Sequence, residues 1–236
     1  MIRQLKNANR FEETLFLGFI SFACFALSVF RFVYTDKTTF LFLNWNLFLA
    51  FIPWLFSSIL SIYPKLRSRK IATSILVILW LLFFPNAPYI LTDLFHLRHS
   101  QNMPLWFDLV LILSFAWTGL LFGIFSLWDI EKILALQIRK KFLPVITIGL
   151  LFLGAYGIYL GRYLRWNSWD IIGETSALLY DIRDSIVNPL HNLKAWGVTL
   201  FMGLFLNMVY WSFHLIMRRR DLVDETEMKT DAPIKG

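Results

Sequence analysis

Six long apolar runs, joined by short polar connections, organise the chain. They cover roughly residues 14–34, 40–63, 71–91, 104–129, 142–164 and 194–217. A helix needs about 20 mostly apolar residues to cross the hydrocarbon layer of a bilayer, and each run reaches that length. The pattern predicts an all-α, polytopic membrane bundle of six transmembrane helices over residues 1–217, followed by a polar tail, 218–236. After Arg220 that tail carries Asp221, Asp224, Glu225, Glu227 and Asp231 and is expected to be disordered. The longest connection, 165–193, places Leu178, Ile182 and Ile186 at helical spacing, with Glu174, Asp181 and Asp184 on the other side. It predicts a short helix lying on the membrane surface.

Composition narrows the class. Hydrophobic residues make up 57% of the chain and charged residues 17%, with a mean hydropathy of +0.57. A soluble domain carries about 25% charged residues, so lipid must cover part of this surface. The single cysteine, Cys24, excludes an intramolecular disulfide scaffold. The net charge of +7 would suit nucleic acid, but its distribution points elsewhere. Sixteen Lys and Arg residues lie in the N-terminal segment, the second and fourth connections and the tail. Only four, Lys37, Arg98, Arg165 and Arg183, lie in the other connections. Positive charge collects on the cytoplasmic side of membrane proteins. The sequence therefore predicts a bilayer partner, no nucleic acid, and both termini in the cytoplasm. Arg31, near the end of the first run, is expected to snorkel outward.

Polar groups out of place in this pattern are the candidate chemistry. In the third run, 71–84 spans only 14 residues, roughly 21 Å at 1.5 Å per residue. To cross, the helix must continue through Pro85-Asn86-Ala87-Pro88. Each proline lacks an N–H and crowds the preceding turn, so a kink or break at Pro85/Pro88 is expected, freeing carbonyls near Leu81 and Phe84. Asn86 is placed to satisfy one of them. Either a simple kink or a broken helix lining a cavity fits.

Asp93 and His96 follow at i, i+3 and share a helical face. They are candidates for acid–base chemistry or, with His99, for a divalent metal; a hydrogen-bonded interfacial role is the simpler alternative. Asp108 stands where a helix dipole favours a carboxylate. Arg162 and Arg165, again i, i+3, need carboxylates or an anionic ligand, and Asp93, Asp108 and Asp170 are the carboxylates at similar depth. Trp166 and Asn167 complete this candidate binding set. Gly119/Gly123 and Gly157/Gly161 form two G-x-x-x-G pairs, read as close helix packing. Asn44 and Asn46, polar inside the second run, are expected to bond across helices. No nucleophile with a partner histidine, and no phosphate-cradling glycine loop, stands out.

Three stretches carry a resemblance: Phe83-Phe84-Pro85-Asn86-Ala87-Pro88-Tyr89-Ile90-Leu91-Thr92-Asp93-Leu94, then Leu113-Ser114-Phe115-Ala116-Trp117-Thr118-Gly119, then Gly161-Arg162-Tyr163-Leu164-Arg165-Trp166-Asn167-Ser168-Trp169-Asp170. Over roughly Leu41 to Tyr210 the chain resembles the bacterial multi-pass membrane family called domain of unknown function 1361. The resemblance implies a bacterial plasma-membrane location and carries over no activity or cofactor. Three functions fit: binding or moving a small anion or lipid head group at an extracytoplasmic site, an enzyme acting on a lipid or envelope substrate, or a structural or assembly subunit. The first is preferred.

Overall fold

A computed structural model describes residues 10–99 and 102–230. The side chains of His99 and of residues 218–230 lie outside the described residues, as do residues 231–236. The elements, in chain order, are α1 (Phe11–Thr35), α2 (Phe42–Ile62), α3 (Pro64–Arg67), α4 (Lys70–Phe83), α5 (Asn86–Tyr89), a 3₁₀ helix (Ile90–His99), α6 (Leu105–Leu134), a 3₁₀ turn (Lys140–Phe142), α7 (Leu143–Tyr163), α8 (Asp170–Gly173), α9 (Thr175–Val187) and α10 (Leu193–Thr230). Among the described residues, six helical stretches are long and apolar enough to cross a membrane, with α4, α5 and the first 3₁₀ helix forming one stretch, Lys70–Arg98. The protein is an all-helical integral membrane protein.

α6 is the axis of the bundle. About two-thirds (67%) of its span is buried inside protein, against 17–39% for the other five. Those five leave large apolar residues exposed, including Phe19, Phe22 and Val33 of α1 and Phe201 of α10, which is the arrangement lipid requires. The helix α10 continues to Thr230, where the sequence predicts a disordered tail after Arg220. Arg, Leu, Met, Glu and Lys there are good helix formers, and extending an existing helix avoids the cost of nucleation.

α1 and α6 run antiparallel and are joined at both ends. Arg31 donates from Nε to Asp108 Oδ1 at 2.6 Å and from Nη2 to Asp108 Oδ2 at 3.1 Å. At the opposite end Arg10, at the N-cap of α1, pairs with Asp129 Oδ2, and Ser57 Oγ donates to the same oxygen at 2.9 Å. Glu13 accepts from Arg10 at 2.7 Å and from Trp54 Nε1 at 2.6 Å. Midway, Cys24 Sγ and Thr118 Oγ1 lie 3.4 Å apart. Arg31 is therefore not a snorkelling side chain. It is 2% exposed, lies over the Phe40 ring at 4.4 Å, and faces inward. Burial, rather than water, is affordable there because the Asp108 carboxylate and the ring supply the compensating charge.

The proline segment is gripped on two sides by glycine. A Cβ at Gly119 would lie 2.8 Å from the Ala87 carbonyl oxygen, and one at Gly123 would lie 3.1 Å from the Ala87 methyl. On α7, a Cβ at Gly157 would collide with the Pro85 ring, and one at Gly161 would press on Tyr89 at 3.3 Å. The two G-x-x-x-G faces thus seat α5 between α6 and α7 instead of pairing the long helices directly.

Candidate functional site

The i+4 donor for the Leu81 carbonyl would be residue 85, which is proline and has no N–H. Its neighbours are satisfied from outside the helix. Ser168 Oγ donates to the Leu82 carbonyl at 3.0 Å, Asn86 Nδ2 to the Phe83 carbonyl at 2.9 Å, and the Ala87 N–H to the Phe84 carbonyl at 3.1 Å. Asn86 Nδ2 also donates to Ser168 Oγ at 3.0 Å, tying α5 to the connection after α7. Asn86 therefore satisfies one of the carbonyls beside Pro85, together with Ser168, which no motif singled out.

Beyond Tyr89 the chain tightens into 3₁₀ geometry, with 3.0 residues per turn, so residues three apart eclipse. Asp93 and His96 accordingly share a side. Asp93 is completely buried and held by two partners: Arg162 Nη1 donates to Oδ1 at 3.1 Å, and Asn46 Nδ2 to Oδ2 at 2.7 Å. Arg162 makes two further contacts nearby. Nη2 meets the Thr92 carbonyl at 2.8 Å, and Nη1 also reaches the Tyr89 hydroxyl at 3.3 Å. His96 meets the Phe42 ring edge-on, with centroids 5.0 Å apart. Among the described residues no three His, Cys, Asp or Glu side chains converge as a metal site.

The structure separates Arg162 from Arg165. α7 ends at Tyr163, and Arg165 adopts a left-handed backbone with φ 63°, which lets the Trp166 N–H bond back to the Leu160 carbonyl at 3.1 Å. The shared face expected from i, i+3 spacing ends with the helix, and Arg165 lies exposed. Asp170 is likewise local: its Oδ2 accepts from the Asn167 backbone N–H at 2.7 Å and from Asn167 Nδ2 at 3.0 Å. Asp108 belongs to Arg31. The set proposed from sequence therefore divides into a central pair (Asp93 with Arg162), a structural pair (Asp108 with Arg31) and a turn cap (Asp170 with Asn167).

The pair Asp93–Arg162 stands behind the wall of a cavity of 870 Å³. α7 and α10 pack as a hairpin, and the cavity opens between that hairpin and α2 and α4, under the surface helix α9. Asn46 and Tyr89 each touch the ion pair on one side and the cavity on the other. Asn86, Trp166, Asn167 and Ser168 supply polar groups to its lining. Leu178, Ile182 and Ile186, the apolar stripe read from the sequence, form its roof. Two hydrogen bonds close that roof onto the hairpin: Tyr156 to Ser185 Oγ at 2.6 Å and Trp196 Nε1 to the Ser185 carbonyl at 2.9 Å. Trp166 Nε1 bonds Asp181 Oδ2 at 2.8 Å. Asp93, His96, Arg162 and Arg165 do not line the cavity. Tyr156 and Ser185 carry no periodic signal in the sequence, one an isolated hydroxyl in an apolar run and the other an isolated hydroxyl in a polar connection.

No curated protein and no solved structure matches the chain. A protein family does match, over residues 45–209, a stretch that contains both glycine pairs, the proline turn, Asp93, Arg162 and α9. The chain belongs to that family, described as "Protein of unknown function (DUF1361)".

Proposed function

We propose that this membrane protein binds a lipid-like amphiphile in the cavity beneath α9. Of the two ligands the sequence suggested, a small anion or a lipid, the second is better supported, because Arg162 is committed to Asp93. The observation that carries the reading is the cavity itself. Its 870 Å³ falls within the ordinary range for ligand pockets, about 300–1,000 Å³. Its walls are mostly apolar, with a few amide and hydroxyl groups among them. Four tryptophans line it, Trp45, Trp166, Trp169 and Trp196, a residue type enriched where a membrane meets water. The break in helical bonding at Pro85 borders the cavity, since Leu81, Leu82, Pro85 and Asn86 all line it. The distribution of basic residues supports placing α9 on the extracytoplasmic side of a bacterial plasma membrane, with both termini in the cytoplasm.

The test is a plug. Gly149 lines the cavity, and a Cβ there would meet nothing within 4 Å. Gly149→Phe should therefore fold and fill the space. Native mass spectrometry after mild delipidation should show a chain-bearing amphiphile on the wild-type protein and its loss from the variant. A wild-type protein that emerges bare, or a variant that retains the same adduct, refutes the reading.

A further inference from the structure

The hydrogen-bonding inventory of the cavity specifies the head of its ligand. No Lys, Arg or His lines the cavity. Arg162, behind the wall, is engaged by Asp93, Thr92 and Tyr89 and does not line the space. An anionic head entering here would lose its hydration with no counter-charge to replace it, which is prohibitive at membrane depth.

The groups left over are two amide acceptors and one hydroxyl, Thr199 Oγ1, which lines the cavity and is buried without a hydrogen-bond partner among the described residues. Asn86 spends both hydrogens of its amide on the Phe83 carbonyl and Ser168 Oγ, which fixes its amide oxygen as the free end. Asn46 spends one amide hydrogen on the Asp93 carboxylate, which sets the orientation of its amide and leaves its oxygen as an acceptor beside one further N–H. Neither amide oxygen accepts a hydrogen bond among the described residues, and neither is sealed from contact. The Leu81 carbonyl lacks its helical donor because residue 85 is proline. The hydroxyls beside them face elsewhere: Ser168 donates to the Leu82 carbonyl, and Ser185 donates to the Ile182 carbonyl at 2.8 Å, which leaves the Tyr156 hydrogen for Ser185. A positively charged head fits no better than an anion, because no Asp or Glu lines the cavity, and of the carboxylates bonded to its lining Asp93 pairs with Arg162, Asp181 accepts from Trp166 and Asp170 accepts from Asn167.

We infer that the cavity takes an amphiphile whose head is an uncharged hydroxyl, donated to the Asn46 and Asn86 amide oxygens, with its hydrocarbon chain lying against Leu49, Ile78, Phe152 and Leu153. The inference rests on the proposed function and narrows it from lipids in general to neutral, hydroxyl-bearing ones.

The experiment uses the full chain in detergent micelles with a bromine-labelled octadecanol. Bromine quenches nearby tryptophan, and Trp45 and Trp196 both line the cavity. Quenching of the wild type in excess of that of Gly149→Phe reports cavity occupancy; Gly149→Leu is the smaller plug if the first does not fold. Unlabelled octadecanol, its methyl ether and octadecyl phosphate then compete for the site. A missing donor leaves buried acceptors unsatisfied, so the alcohol should compete about tenfold more strongly than the ether. The phosphate should compete more weakly still. An ether that competes as well as the alcohol, or a phosphate that competes better, overturns the hydroxyl inference and leaves the cavity reading standing. Equal quenching of wild type and both plugged variants overturns the cavity reading with it.

Discussion

Replacing Arg31 with methionine keeps most of the side-chain volume and removes one charge from the α1–α6 contact. The partner left behind, Asp108, is completely buried, and Arg31 itself is 2% exposed. Water cannot take the place of the 2.6 and 3.1 Å bonds. Breaking one side of a buried pair costs about 3–5 kcal/mol, and the lost contact with Phe40 adds up to about 2 kcal/mol. Exchanging both partners, Arg31→Met with Asp108→Leu, leaves no orphan charge and should be close to neutral. The two single variants should therefore be far from additive. Reversible unfolding in mixed micelles, followed by near-ultraviolet circular dichroism, gives the four corners of the cycle. If the double variant is as unstable as the two singles summed, the pair is not coupled, and α1 is held to α6 by apolar packing alone.

Arg162→Ala should destabilise the protein by about 3–5 kcal/mol, and adding Asp93→Leu should recover part of that loss; a wild-type melt for Arg162→Ala would remove the ion pair from the account. Reporter fusions after Lys70 and Lys141 should read cytoplasmic and those near His99 and Asp181 extracytoplasmic, and a cytoplasmic signal near Asp181 would invert the assignment of the cavity to the outer face. At the exposed connection, amide donors from Asn192 and Asn188 hold the Asp184 carboxyl below its ordinary 3.8. A depressed folded value means that the stabilisation is present in full above that ordinary value and lost as pH falls through the lower one. Protection of the Asn192 amide against hydrogen exchange should fall over that acid range in the wild type and show no such titration in Asp184→Asn.

The spans were legible because about 20 apolar residues in succession have few other uses. The glycine pairs were legible as sites of close approach, although their partner proved to be the proline turn. Asn86 was legible because a proline announces which carbonyl loses its donor. Arg162 needed a carboxylate, and the sequence offered three; choosing Asp93 required knowing that the chain tightens after Tyr89 and that α7 stops before Arg165. The α1–α6 junction was missed for a different reason. Arg10 and Asp129 fell at or outside the edges of the apolar runs and read as flanking charge, and Arg31 read as a snorkelling end. A usable signal was present: Arg10 and Arg31 are 21 residues apart, as are Asp108 and Asp129. The cavity had no sequence signature, since it exists only where α7 and α10 stand away from α4.

That matched interval makes the α1–α6 pair a caliper. At 1.5 Å per residue, 21 residues measure about 31.5 Å, close to the roughly 30 Å thickness of a bilayer's hydrocarbon core. Two buried ion pairs hold this length at both ends, so α1 cannot tilt or slide against α6 without breaking one of them. The α7–α10 hairpin is held less symmetrically: Arg162 pairs with Asp93 at its outer end, and toward the other end a hydrogen bond from the Tyr210 hydroxyl to Glu131 stands in place of a second ion pair. In a thinner or thicker bilayer, hydrophobic mismatch is relieved by the element that moves most cheaply, and here that is the end of the hairpin away from Arg162. Membrane thickness should therefore set how wide the cavity stands away from its roof, with α1 and α6 as the fixed reference.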